Sequence, residues 1–249
     1  MNGEDRQECS KAIQYLQCIG LLNLNLNLSL NLFLALNTMT SETGHRQYII
    51  SHYKKIAKVY GIADLFLTAV KREVVRLIGK KNGKILDVAC GTGPQAAALA
   101  RTGHNVIGLD ISDAMLRKAK RKNQSLTNVT LIQADSAQMP FRDSVFDVAT
   151  ISFALHEMPE AIAIVTLEEM KRVTKKDGQI IIVDLNLSGR RFIQYVVGQI
   201  LLIVEPKYYR EYLKKGLEEY TAKAKLTKLS HTTLYFGLAS IIVCRPVSA

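Results

Sequence analysis

Gly91 and Gly93 lie in a segment whose residue types could hold a nucleotide-like ligand. The segment from Lys84 to Ala100 reads KILDVACGTGPQAAALA, which predicts a strand, a glycine turn and a helix with Pro94 in its first turn. Glycine lets the backbone turn tightly and approach a ligand without an intervening Cβ atom. The N–H groups at the start of the helix can bind an anionic group. The segment therefore predicts a ligand-binding loop.

Two classes of cofactor are compatible with this loop. Gly91, Gly93 and Ala96 satisfy the dinucleotide fingerprint G-x-G-x-x-A. Asp110 follows about 20 residues later, as a ribose-binding acid would, so an NAD-dependent oxidoreductase is one interpretation. Asp87 favours another, because it lies inside the predicted strand, where a dinucleotide-binding fold normally has apolar packing. Its carboxylate could face the cationic amino group of S-adenosylmethionine (SAM), which NAD lacks.

Aspartates also lie at the ends of three successive predicted strands, at Asp87, Asp110 and Asp135. In an open parallel sheet, ligands bind across the carboxyl ends of the strands. Asp87 could therefore hold the amine of SAM, Asp110 the ribose hydroxyls and Asp135 the adenine amino group. The alternative for Asp110 and Asp135 is that they cap helices or form turns, since aspartate favours both positions.

The elements that would position these residues follow from the hydrophobic pattern. Downstream of residue 44, helical periodicity gives way to short β-rich runs that alternate with helical stretches. This alternation predicts an α/β fold with a parallel sheet wrapped by helices. The predicted strands are Lys84–Ala89, Asn105–Leu109, Val129–Gln133, Val145–Ser152 and Gln179–Leu185, followed by Lys225–Leu229 and Leu238–Arg245 as an antiparallel final pair. The predicted helices are His45–Tyr60, Ile62–Ile78, Pro94–Arg101, Asp113–Asn123, Glu160–Val173 and Tyr208–Lys223.

The first 40 residues differ in composition from the rest. No charged residue occurs from Ala12 to Ser41, and the segment 21–37 reads LLNLNLNLSLNLFLALN. Its asparagines disfavour a membrane-spanning helix, because each would carry an amide into hydrocarbon. We predict that residues 1–40 form a low-complexity extension outside the fold and that residues 41–249 form one domain.

The composition limits which cellular compartment and which binding partners we expect. The 249-residue chain has a net charge of +11 and four cysteines without a C-x-x-C pair. The cysteine pattern argues against a zinc site or a disulfide framework and favours a reducing cytoplasm. Basic runs such as Arg117 to Lys122 could attract an anionic membrane or nucleic acid, or simply form solvated helix faces. Because no nucleic-acid-binding module accompanies them, nucleic acid is disfavoured. A non-catalytic basic protein that binds membranes or nucleic acid remains a further alternative.

Four segments in the same order carry a family resemblance: ILDVACGTG, VIGLDIS, LIQADSAQMPFRDSVFDVATISFALHEM and MKRVTKKDGQIIIVDL. They resemble the successive motifs of class I SAM-dependent methyltransferases, especially the ubiquinone/menaquinone-biosynthesis group. The third glycine common in the family loop is replaced by Pro94-Gln95. The resemblance implies a Rossmann-like, mostly parallel seven-stranded sheet with helices on both faces and an antiparallel last pair. It also implies SAM as cofactor.

The resemblance further implies which residues bind that cofactor. Asp87, Gly91 and Gly93 would contact its methionine end, with Asp110 at the ribose and Asp135 and Ser136 at the adenine. Further cofactor-binding candidates are Ala89, Ile111, Tyr53 and Tyr60. The two tyrosines lie in a segment that resembles the N-terminal helix covering SAM in this family, although a core-packing stripe would explain their spacing equally well.

The sequence says less about the binding of the methyl acceptor than about the binding of the cofactor. His156 follows the fourth predicted strand and is a candidate general base, which would help if the acceptor is a phenol, an enol or an activated ring carbon. The alternative is that His156 packs or caps the next helix. Arg191 to Pro206 is apolar but too short to span a bilayer, and it could line a lipophilic pocket, lie at a membrane interface or form an ordinary buried helix. We therefore expect a cytoplasmic methyltransferase that acts on a small lipophilic acceptor, for example a quinol-like ring, with peripheral contact at the inner membrane face.

Overall fold

Seven strands and five helices occur in the part of the chain that the computed structural model describes, namely residues 68–79, 83–186 and 208–246. The strands are β1 (Lys84–Val88), β2 (Asn105–Asp110), β3 (Val129–Gln133), β4 (Phe146–Ser152), β5 (Thr174–Leu185), β6 (Leu226–Leu234) and β7 (Ala239–Pro246). The helices are α1 (Thr68–Ile78), α2 (Pro94–Ala100), α3 (Asp113–Lys122), α4 (Glu160–Val173) and α5 (Tyr209–Lys223). Short 3₁₀ turns cover Leu155–Glu157 and Tyr235–Gly237.

All seven strands form one sheet in the order β3-β2-β1-β4-β5-β7-β6. The first five of these are parallel, whereas β7 runs antiparallel to both β5 and β6. The chain builds outward in one direction from β1 to β3 and in the other from β4. The strand order therefore reverses between β1 and β4, which is where open α/β sheets bind ligands. The predicted fold class and the antiparallel final pair are confirmed.

Helices cover both faces of the sheet, and this explains the apolar character of its central strands. Within β1 and β5 the segments IL and IIIV are fully buried, as expected for strands packed on both sides. One face packs against α1 and α2, in a cluster that includes Val70, Val74, Ile85, Ala96, Leu99, Val106, Val148, Ile181 and Val183. The other face packs against α4 and α5, in a cluster that includes Leu86, Val88, Ile151, Leu167, Met170, Tyr212 and Tyr220.

Two strands are longer than the sequence predicted. β5 begins at Thr174 rather than Gln179, because Thr174 pairs with Phe146 before an irregularity in the register. β6 continues to Leu234 rather than ending near Leu229, because β7 supplies backbone partners along its whole length. The polar residues of LSHTTL hid this extension, since most of them are exposed or only partly buried on an edge strand.

Several predicted segments lie outside the described residues. These are the extension 1–40, the helix His45–Tyr60, the first part of Ile62–Ile78, and the apolar segment from Arg191 to Pro206. The boundary between extension and domain therefore stays a prediction. None of the helices in the described ranges is long and apolar enough to cross a membrane.

Candidate functional site

The glycine loop, residues 89–93, follows β1 and has an unusual backbone. Ala89, Gly91 and Gly93 have φ angles of 51°, 55° and 76°. Left-handed backbone costs an L-residue roughly 1–2 kcal/mol, whereas glycine adopts it readily. Phe153, immediately after β4, also has a positive φ angle, of 53°. Strained residues therefore follow directly on both strands that flank the reversal of strand order, and such strain often accompanies a ligand site.

Gly93 and Gly91 are glycines for different reasons. At Gly93 a side chain would collide with Ala119 of α3 and with Asn123 just after it, whereas Gly91 borders open space. The Gly93 carbonyl accepts a hydrogen bond of 3.4 Å from the Asn123 side-chain amide. A Cβ atom at Gly93 would lie only 2.6 Å from Asn123 Nδ2 and 3.2 Å from Ala119 Cβ. A Cβ atom at Gly91 would meet nothing within 4 Å. Gly93 is thus required by packing, whereas the backbone at Gly91 borders space that a ligand can approach.

Asp110, the last residue of β2, connects the loop to the next helix. Its Oδ2 atom accepts the Gly91 N–H at 2.7 Å, and its Oδ1 atom accepts the Ser112 N–H at 2.8 Å. Ser112 is the N-cap of α3. Burial raises the pKa of the Asp110 carboxyl, and the two backbone hydrogen bonds oppose that shift. Each carboxylate oxygen has a second lone pair, so the carboxylate can still accept hydrogen bonds from ribose hydroxyls.

Asp87 is buried inside β1 with one oxygen that lacks a partner. The Ala96 N–H, in the first turn of α2, donates to its carboxylate. The Oδ2 atom is buried and has no hydrogen-bond partner. Burial raises the pKa of Asp87 to about 8, and the nearby charge of Asp110 adds to this effect. An ammonium group placed beside Oδ2 would satisfy the oxygen and stabilise its negative charge.

The residues predicted at the adenine follow β3 and have internal partners. Asp135 Oδ1 accepts the Ala137 N–H at 2.9 Å, so this side chain forms a turn, as the alternative interpretation expected. Ser136 Oγ lies 3.0 Å from Thr166 Oγ1 in α4, which ties the segment after β3 to that helix. The Ile111 carbonyl accepts a hydrogen bond of 3.1 Å from the Gln133 side chain. Roles for Asp135, Ser136 and Ile111 in adenine binding stay predictions.

The structure thus brings part of the predicted cofactor site together at the carboxyl edge of β1 and β2. Asp110 is hydrogen-bonded to Gly91 in the glycine loop, and the negative charge of Asp110 contributes to the raised pKa of Asp87. Tyr53 and Tyr60 lie outside the described residues.

His156 lies in the 3₁₀ turn after β4 and is hydrogen-bonded to a carboxylate that the sequence analysis did not single out. Its Nδ1 atom is 2.5 Å from Asp184 Oδ1, near the end of β5. Asp184 is fully buried, and its oxygens also accept the backbone N–H groups of Leu155 (2.9 Å), His156 (3.3 Å) and Leu185 (2.7 Å). The one signal for Asp184 in the sequence is an acid directly after the apolar run IIIV. The carboxylate fixes both the turn and the orientation of the imidazole.

The residues at the carboxyl edge fit the cofactor that the resemblance implies. A buried carboxylate oxygen without a partner suits a cationic amine, and the open approach to Gly91 suits a ligand that packs against bare backbone. Within the described ranges, no group of three or more side chains is arranged to hold a metal ion.

We expect alanine substitutions at Gly91 and Gly93 to differ in their consequences. Each places an L-residue in left-handed backbone, which should lower the free energy of unfolding by about 1–2 kcal/mol. Gly93→Ala should lose more, because its methyl group would press on Asn123 and Ala119. Gly91→Ala should incur only the backbone cost, yet bind S-adenosylhomocysteine about tenfold more weakly, a change of about 1.4 kcal/mol. Denaturant unfolding and calorimetric titration measure both effects. Unchanged affinity in folded Gly91→Ala would contradict a ligand contact there.

We also expect Asp87 to make the free protein less stable as the pH rises. A carboxyl in an unfolded chain ionises near pH 4, whereas the folded-state pKa of Asp87 is about 8. Between these values the folded state binds more protons, so stability should fall by up to about 1.4 kcal/mol per pH unit. Asp87→Asn cannot titrate and should therefore be more stable than the wild type at pH 8. Thermal unfolding from pH 5 to pH 8 tests this, and parallel pH profiles for the two proteins would refute it.

Comparison with known proteins identifies the family. A family model described as a methyltransferase domain matches residues 85–178. A demethylmenaquinone methyltransferase of Staphylococcus saprophyticus is 32% identical over 173 residues, covering 64% of this chain and 72% of the relative. The enzyme of the same name from Staphylococcus aureus is 30% identical over 214 residues, covering 79% of this chain and 86% of the relative.

Solved structures show the same fold. A protein from Pyrococcus horikoshii aligns with a TM-score of 0.59 and 23% identity, covering 76% of this chain and 91% of that one. A SAM-dependent methyltransferase from Aquifex aeolicus aligns with a TM-score of 0.57 and 21% identity, covering 71% and 89%. The family model and the sequence relatives favour the methyltransferase interpretation over the oxidoreductase one. The chain belongs to the class I SAM-dependent methyltransferases, resembles their menaquinone-biosynthesis group and uses SAM as its cofactor.

Proposed function

We propose that this methyltransferase methylates a small lipophilic acceptor with a quinol-like ring. Two observations support the proposal. Relatives that share about 30% identity with most of this chain are named for methylating demethylmenaquinone. In this chain, a histidine held by a buried carboxylate follows the strand next to β1, where a ring hydroxyl could be deprotonated. The hydrogen bond between His156 and Asp184 is the observation that carries the proposal.

The cofactor would lie across the carboxyl ends of β1, β2 and β3. Asp87 would hold its amine, Asp110 its ribose hydroxyls, and Asp135 with Ser136 its adenine. Ala89, Gly91, Gly93 and Ile111 would supply backbone along its length, with Tyr53 and Tyr60 as further contacts. When bound, SAM supplies a methyl group on a positively charged sulfur, which is already activated for transfer to a nucleophile. The task left to the protein is to align the acceptor and to exclude water.

His156 would act as the general base. A carboxylate can only accept hydrogen bonds, so the contact with Asp184 would favour the tautomer with the proton on Nδ1 and the lone pair on Nε2, which lies 3.9 Å from Glu157 Oε1. The Nε2 atom would take the proton from a ring hydroxyl of the acceptor, which raises the electron density at the adjacent ring carbon. That carbon would take the methyl group as its bond to the cofactor sulfur breaks, which leaves S-adenosylhomocysteine. The ring would regain aromaticity when the proton that the carbon carried passes to solvent and His156 returns its proton to the ring oxygen. An amine acceptor would have its own lone pair and less need of this base.

A lipophilic acceptor would also require access to a membrane. The net charge of +11 would favour peripheral contact with an anionic membrane surface, and a cytoplasmic location would follow from the cysteine pattern. Basic residues near such a surface each contribute about 1 kcal/mol of attraction.

We expect transfer of labelled methyl from SAM to favour a prenylated demethylnaphthoquinol. The assay compares this acceptor with a simple phenol and a primary amine, each at equal concentration. The naphthoquinol should have the highest kcat/KM, and its labelled product should carry the methyl group on a ring carbon. Anionic vesicles should increase the rate relative to zwitterionic vesicles. Preferential methylation of the amine would refute the quinol-like acceptor.

We expect Asp184 to act on catalysis through His156. His156→Gln should lower kcat about 100-fold, within the usual contribution of a general base. Asp184→Asn should lower kcat comparably, because its amide can also donate to Nδ1 and thereby favour the other tautomer. The double variant should be no slower than His156→Gln alone, because the two residues act as a unit.

The affinity for S-adenosylhomocysteine serves as the control in all three variants and should not change. The acidic limb of the kcat–pH profile should disappear in His156→Gln. Multiplicative losses in the double variant would instead mean that Asp184 acts only by supporting the turn.

A further inference from the structure

The outward side of α3 concentrates positive charge. The helix reads DAMLRKAKRK and contains five basic residues, with Asp113 as its only acid. Arg117, Lys120 and Arg121 are exposed, and their spacing of three and four residues places them along one side of the helix. We call these three residues the basic stripe. Within the described part of the chain, Lys120 and Arg121 form no salt bridge, whereas Arg117 pairs with Asp113.

The helices α4 and α5 differ from α3, because they carry charges of both signs that pair with one another. Glu160 of α4 accepts hydrogen bonds from both Lys215 and Lys223 of α5. Arg172 pairs with Glu169 one turn earlier in α4. Paired charges project little field beyond the protein, since each cation is offset by a neighbouring carboxylate. The basic stripe therefore gives α3 a positive surface that α4 and α5 lack.

The apolar residues of α3 do not contribute to this surface. Met115, Leu116 and Ala119 are buried within the domain. The helix therefore differs from an amphipathic helix that inserts its apolar side into a bilayer. The basic stripe also lacks aromatic side chains, on which the bases of a nucleic acid could stack. What the stripe offers a partner is positive charge alone.

Both ends of α3 are hydrogen-bonded to the glycine loop or to its neighbour Asp110. The N-cap, Ser112, donates its backbone N–H to Asp110, which also accepts the Gly91 N–H. Asn123, directly after the helix, donates its side-chain amide to the Gly93 carbonyl. These contacts fix the orientation of the basic stripe relative to the glycine loop. A surface that binds the stripe would therefore also orient the loop.

We propose that the basic stripe of α3 docks the enzyme on an anionic phospholipid surface. Its positive charge complements the negative potential of such a surface, where each nearby basic residue strengthens binding about fivefold. The choice of a membrane rests on the proposed function, since a lipophilic acceptor is dissolved in the bilayer. Because no apolar group inserts, salt weakens this attraction, with a Debye length of about 10 Å at 0.1 M.

Removal of two charges from the basic stripe tests the proposal. Lys120→Gln combined with Arg121→Gln should weaken co-sedimentation with vesicles that contain phosphatidylglycerol about 30-fold at low salt. Lys176→Gln combined with Lys214→Gln is the matched control, because it removes the same charge from two exposed residues outside α3. The control should stay within about twofold of the wild type, since these charges would lie away from the vesicle surface and be screened.

Equal losses in the two double variants would overturn the proposal, because net charge alone would then govern binding. Tighter binding of the wild type to duplex DNA at equal phosphate concentration would overturn it in favour of nucleic acid.

The docking surface and the acceptor are tested separately. Vesicle binding requires neither SAM nor an acceptor, whereas methylation of a quinol in detergent micelles requires no docking. In micelles the variant of Lys120 and Arg121 should therefore keep the kcat and the S-adenosylhomocysteine affinity of the wild type. Failure of the wild type to methylate the quinol in micelles would refute the quinol-like acceptor, whereas undiminished vesicle binding by this variant would refute the docking surface.

Discussion

Burial of Asp87 within β1 is the constraint on which the rest of the site depends. A carboxylate at this position has lost its water and has gained one backbone N–H in return, which leaves Oδ2 without a partner. Such a group is tolerated because apolar side chains around it supply the stability of the sheet, for example Ile85 and Val148 on the same face of the sheet. The same burial makes the carboxylate a strong binding partner for a cation, since charges attract more strongly where solvent does not screen them.

The reversal of strand order places the end of β1, which carries Asp87, beside the end of β4, where a ligand can bind. Because β1 and β4 are neighbours while their following helices leave on opposite faces, the chain after each strand must turn sharply and leaves a gap between the two turns. One turn is the glycine loop. The other begins at Phe153 and leads to His156, whose orientation Asp184 fixes from the adjacent strand. The residues predicted to bind the cofactor and the candidate base therefore come from neighbouring strand ends of one sheet.

The sequence predicts the features that depend on residues close together in the chain. The strand, glycine turn and helix around Gly91 follow from residue type and spacing, and Asp87 was notable because a charge interrupts an apolar strand. Features that depend on pairing between distant segments were missed. Asp184 contacts His156, which lies 28 positions earlier in the chain, and no local pattern links the two residues. The sequence offers a turn at Asp135 as an alternative to ligand binding, because the same carboxylate lone pairs can accept a hydrogen bond from a backbone N–H or from a ligand.

The backbone conformation of Ala89 also affects how the enzyme binds its cofactor. The loop that begins at Ala89 is held in this conformation by contacts within the chain itself, since the Cys90 N–H donates to the Leu109 carbonyl at 2.9 Å and the Gly91 N–H donates to Asp110 at 2.7 Å. The conformational entropy of ordering this segment is therefore lost during folding and not during association. A preorganised loop of this kind gives a higher affinity for the same set of contacts, and it allows the cofactor to exchange without waiting for the backbone to rearrange.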